Sequence, residues 1–150
     1  MRIAEIMKPA VQTATEDEPL AVVAERMRAK RIHHLVVTRD GALVGVLSAR
    51  DIGPGGVPAG TARTVGDAMT EPVVTVTSDT PLRRAANVMR GHIIGCLPVA
   101  DDGKLVGIVT ISDLLTLIGK GQERPITRGK RWSLKNRGLR PHRKPPGLVR

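Results

Sequence analysis

A hydroxyl followed three residues later by a carboxylate occurs at two matched places, Ser48-Ala-Arg-Asp51 and Thr110-Ile-Ser-Asp113. Residues three apart on a helix share a face, so each pair sets a hydroxyl beside an anionic acceptor. Such a pair can cap a helix, the hydroxyl accepting from first-turn amides while the dipole favours the acid. On spacing alone capping is the favoured reading, because such pairs open many helices. The other polar cluster is His33-His34, which reads either as solvated surface or as a contact for phosphates. Neighbours on a strand face opposite ways, and no Cys/His cluster of zinc-like spacing accompanies the pair, so a metal is disfavoured. The chain holds no nucleophile elbow, no phosphate loop ending in Gly-Lys-Ser/Thr and no HExxH. No catalytic set is therefore expected.

The elements that carry these pairs are themselves duplicated. Shifted by 62 residues, the segment 3–52 lies on 65–114 without a gap, with about 19 of 50 positions identical. A period of this size marks repeated structural units. Each copy reads strand, helix, strand, strand, helix. Val11–Thr15 and Val73–Thr77 are β-branched stretches suited to strands. Pro19 and Pro81 suit a helical first turn. Leu20, Val23, Ala24 and Met27 then recur at helical spacing, as do Leu82, Ala85, Ala86 and Met89. Leu35–Val37 and Leu43–Leu47 flank Asp40-Gly41, and Leu97–Val99 and Leu105–Val109 flank Asp102-Gly103, which predicts two hairpins. The Gly- and Pro-rich run 53–60 is a linker.

With no Phe or Tyr and a single Trp, the core must be built from aliphatic side chains and Met. A unit of about 50 residues is marginal alone, so the copies are expected to fold against each other. No apolar run approaches the roughly 18 residues of a membrane span. One cysteine, Cys96, cannot form an internal disulfide and reads as a small buried apolar residue, which fits a reducing cytoplasm. The charge is uneven. Residues 1–118 hold 13 Lys and Arg against 13 Asp and Glu, whereas 119–150 hold 11 against Glu123 alone. This last segment, rich in Pro and Gly, is expected to be a disordered basic tail. Within it Lys130, Arg131, Trp132, Lys135 and Arg137 place one aromatic among four cations, a composition suited to RNA or DNA phosphates with one stacking group.

Together, the tandem repeat, the β-α-β-β-α order and the duplicated Gly-apolar-x-Ser/Thr-x-x-Asp signature resemble the CBS domain, named for cystathionine beta-synthase. The resemblance covers residues 3–118. It implies an α/β fold of the α+β type, with repeats at 1–56 and 57–118 packed pseudo-symmetrically through their sheets and a tail at 119–150. It also implies a regulatory module, not an enzyme, binding an adenine nucleotide or S-adenosylmethionine between the repeats, with no cofactor required. Asp51 and Asp113 would hold ribose, with Ser48 and Thr110 near ribose or phosphate and Arg50 and Ser112 inside the same signatures. Thr13 and Thr75 would lie at the adenine wall. His33 and His34 would meet phosphates, a role Gly95 and Cys96 cannot share, so the two clefts should differ. A homodimer acting on a separate effector protein is implied as well. The alternative is a nucleic-acid-associated protein whose repeats only dimerise and whose tail binds RNA or DNA.

Overall fold

The computed structural model describes residues 1–58 and 60–121. The tail residues Lys130, Arg131, Trp132, Lys135 and Arg137 lie outside the described residues. The first copy is built as expected: β1 (Thr13–Thr15), α1 (Leu20–Ala29), β2 (His34–Arg39), β3 (Ala42–Ser48) and a single helical turn, α2 (Ala49–Ile52). β2 lies between β1, which it pairs in parallel, and β3, which it pairs antiparallel. The second copy supplies α4 (Leu82–His92), β4 (Cys96–Asp101), β5 (Lys104–Thr110) and α5 (Ile111–Gly119). Both hairpins turn on two residues with positive φ, Asp40-Gly41 and Asp102-Gly103, the geometry that suits the twist of the flanking strands. Pro19 and Pro81 sit one step before the positions expected of them, as the cap residues of α1 and α4.

Two differences from expectation have local causes. The stretch Val73–Thr77 forms no strand, and its pairing shrinks to one bridge between Val76 and Val99. In the first copy the amide of Val36 donates to the Gln12 carbonyl at 3.1 Å. Pro98 occupies the equivalent place and has no N–H to give, so that rung of the ladder is lost. The helix α2 stops after one turn because Gly53, at φ 88°, reverses the chain and Pro54 follows. Its counterpart α5 has Leu115 at the equivalent place and runs on for nine residues.

The repeats exchange their leading segments. A short 3-10 turn, Ile3–Glu5, buries Ile3 among Ala85, Met89, Leu97 and Val109 of the second copy, with Ile6 and Met7 alongside. The equivalent turn α3 (Val65–Ala68) buries Val65 among Leu20, Val23, Leu35 and Leu47 of the first, with Met69 alongside. Backbone pairs seal both exchanges: Lys8 with Ile108 at 2.9 and 3.0 Å, and Thr70 with Val46 at 2.9 and 3.2 Å. Each hairpin must leave room for the visiting chain. Gly45 and Gly107 do so: a Cβ on Gly45 would lie 2.8 Å from Met69 Sδ and 3.0 Å from the Thr70 carbonyl. On Gly107 it would lie 2.7 Å from Met7 Sδ and 3.1 Å from the Lys8 carbonyl. A third cluster, Val36, Cys96 and Ile108 with Val11, Leu43, Val46 and Leu105, joins the two copies face to face. The clefts lie beside this seam.

Candidate functional site

The larger cleft, of about 940 Å³, is bounded on one side by the end of the first copy's hairpin. There His33, His34, Ser48, Arg50 and Asp51 are brought together. Opposite them stand Thr70 and Pro72–Val74 of the exchanged segment, and the end of α4 with Met89, Arg90, His92 and Ile93. Gly95, Cys96, Thr110 and Ser112 complete the wall. Thr13 and Thr75 are exposed and do not line the cleft; in place of Thr75, its neighbours Val73 and Val74 do. Asp113 also lies outside this cavity.

The hydroxyl–carboxylate pairs form helix caps in both copies. Asp51 Oδ2 accepts from the Ser48 amide at 2.8 Å and from Ser48 Oγ at 3.0 Å, while the Asp51 amide reaches Ser48 Oγ at 3.4 Å. Thr110 and Asp113 repeat this, at 2.8, 2.9 and 3.3 Å. Capping therefore uses one oxygen of each carboxylate. The other oxygen differs between copies. Asp51 Oδ1 receives only a long contact of 3.4 Å from Thr70 Oγ1, whereas Asp113 Oδ1 is paired with Lys8 Nζ at 3.1 Å. Asp51 thus keeps acceptor capacity at the cleft wall. With α2 a single turn, the helix dipole adds little here, and side chains must supply most of the positive field.

They do. Arg50 and Arg90 are permanently charged, and Asp51 is the only acid among the lining residues. Arg90 and His92 are contacts that reasoning along one repeat misses, since they come from the far copy. The 62-residue alignment carries the signal, because it sets Arg90 on Arg28 and His92 on Lys30. Cys96 is buried in the seam, where desolvation pushes its thiol up to about 12, so it is not a thiolate nucleophile.

His34 is held below an ordinary imidazole, chiefly by burial and then by the charge of His33. This moves its loss of charge below the ordinary imidazole range. The neutral ring is the form the fold prefers, so its contribution to stability is complete above about pH 6.5, the unfolded value. That contribution is lost as the pH falls through the lowered folded value. The melting temperature should therefore decline as the pH falls below about 6.5, and His34→Gln should flatten that decline. Parallel melting curves for the two proteins across that range would show that His34 contributes nothing to it.

Among the described residues no group of three or more His, Cys, Asp or Glu side chains could hold a metal, and no helix is long and apolar enough to cross a membrane. Comparison with known proteins agrees with this architecture. The sequence model of the CBS domain matches residues 3–52 and 65–120. The chain is 34% identical over 119 residues to a homoserine O-acetyltransferase of Methanococcoides burtonii, covering 78% of this chain but only 24% of that enzyme. It is 32% identical over 132 residues to a CBS domain-containing protein of Dictyostelium discoideum, covering 79% of this chain and 91% of that one. Among solved structures, the CBS domain pair of protein MJ0100, in complex with methylthioadenosine and S-adenosyl-L-methionine, superposes with a TM-score of 0.72. It is 29% identical, over 81% of this chain and 98% of that one. A putative signal-transduction protein with CBS domains from Burkholderia ambifaria gives 0.73 at 26% identity, over 85% and 100%. Two matched repeats on one seam, each closing its hairpin with the same capped carboxylate, make this chain a member of the CBS domain family.

Proposed function

We propose that this chain is a non-catalytic sensor module that takes an adenosine-containing ligand in the Asp51 cleft and thereby alters contact with a partner protein. The observation that carries this reading is Asp51 itself: one oxygen closes a helix cap while the other has only the long contact from Thr70. Ribose hydroxyls would donate to that second oxygen, whereas the matching oxygen of Asp113 is paired with Lys8. Val46, Val73, Val74, Ala86 and Ile94 offer an aliphatic slot for a purine, and Arg50, Arg90, His33 and His34 suit phosphates or another anionic tail. The size falls within the range of about 300–1,000 Å³ usual for small-molecule sites. The complex of MJ0100 with two adenosyl compounds supports the same ligand class.

The output would be a population shift, in which ligand favours one arrangement of the two repeats. A homodimer belongs to this reading, and Ile93, Ile111 and Leu115, at 88%, 46% and 61% exposure, supply apolar surface for a second chain. The test is a thermal-shift screen of the full chain against AMP, ADP, ATP, S-adenosylmethionine and NAD. A ligand at 100 times its dissociation constant adds about 2.7 kcal/mol, a shift of several degrees. No shift with any of them at millimolar concentration would sink the proposal.

A further inference from the structure

Part of the wall of the large cleft recurs around a second cavity, whose lining lies wholly between Ala21 and Val57 of the first repeat. The helix wall of the large cleft includes Ala86, Met89, Arg90, Ile93 and Ile94. Their counterparts Ala24, Met27, Arg28, Arg31 and Ile32 line a second, smaller cavity of about 670 Å³. That cavity stops short of Asp113. Its lining includes neither Thr110 nor Asp113, and it omits Gln12 and Lys30, the counterparts of the lining residues Val74 and His92.

The residues at this boundary are joined to each other. Lys8 Nζ sits 3.1 Å from Asp113 Oδ1, where Thr70 makes only the 3.4 Å contact in the first copy. Lys30 Nζ donates to Gln12 Oε1 at 2.9 Å, where His92 and Val74 both stand as open cleft wall. Three substitutions relative to the partner repeat, at positions 8, 12 and 30, thus create two contacts from the leading segment, one to the signature carboxylate and one to the end of α1. Lys8 occupies the carboxylate oxygen that its counterpart Asp51 leaves open, so a ligand at Asp113 has to compete with an ion pair whose lysine is 65% exposed. From these contacts we infer that Lys8 and Lys30 clasp the second cleft shut, so that each chain binds one ligand, at Asp51.

This rests on the adenosyl reading of the Asp51 cleft, and the two fail differently. Calorimetry of the full chain with S-adenosylmethionine, methylthioadenosine and AMP should give one ligand per chain. The variant Lys8→Thr/Gln12→Val/Lys30→His, which copies the first cleft into the second, should give two. Two ligands per wild-type chain, or one per chain in a variant that melts normally, would overturn the clasp and leave the adenosyl reading standing. Absence of binding in both proteins would overturn both. Should the variant not fold, photolabelling of the wild type with an azido-adenosine nucleotide decides. Label confined to peptides around 70–74 and 89–96 supports the clasp, and equal label around 8–12 and 27–34 overturns it.

Discussion

Gly45→Ala and Gly107→Ala should each lower the stability of the protein by about 1–3 kcal/mol, the usual range for overpacking a filled core. The added methyl would press on Met69 or Met7, whose thioethers can yield, and on the carbonyls of Thr70 or Lys8, which cannot. Those carbonyls accept from Val46 and Ile108, so moving them breaks the seal of an exchanged segment. In a body of this size the loss corresponds to roughly 4–12 °C in melting temperature. Gly91→Ala is the matching control. It lies inside α4 with nothing within 4 Å of the new methyl, and should stabilise by about 0.5–1 kcal/mol. If thermal melts place all three variants level with the wild type, the close approach described for the two hairpin glycines is not a constraint on the fold.

The second large effect is on binding. Asp51→Asn should weaken the adenosyl ligand by about 10- to 150-fold, the loss of a charge-assisted hydrogen bond worth about 1.5–3 kcal/mol. Asparagine keeps an oxygen for the Ser48 cap, so folding should change little. Ser48→Ala is the useful opposite: it removes the cap partner, costing about 1 kcal/mol of stability, and leaves the Asp51 carboxylate in place. Calorimetry and melting curves on both variants separate the two roles. Wild-type affinity in Asp51→Asn would reduce Asp51 to a capping residue.

Much of this was legible in the residues. The repeat, both hairpins and both long helices follow from local pattern, because Asp-Gly turns and helical apolar spacing act within a few residues of chain. The signature pairs were legible too as helix caps, and each cap uses only one oxygen of its carboxylate. The loss of the strand at Val73–Thr77 is written in Pro98, but only once its partner is known. The exchanged segments were not legible. Ile3, Ile6 and Met7 are apolar in either repeat, and nothing in their own order says that Val109, about a hundred residues on, is the neighbour. The cleft wall from α4 was hidden for the same reason, while Lys8 and Lys30 become informative only against Thr70 and His92.

The exchange of leading segments has a consequence for how the protein is made. Ile3, Ile6 and Met7 are synthesised about a hundred residues before the hairpin that receives them, which is completed only at Thr110. At about 5–20 residues per second on the ribosome, that apolar arm waits on the order of 5–20 s for its seat. The first repeat, meanwhile, cannot close until Val65 and Met69 emerge to fill its core. Birth order and assembly order therefore run opposite ways: the leading segment of the first repeat waits for the second, and neither repeat matures before the other is in production.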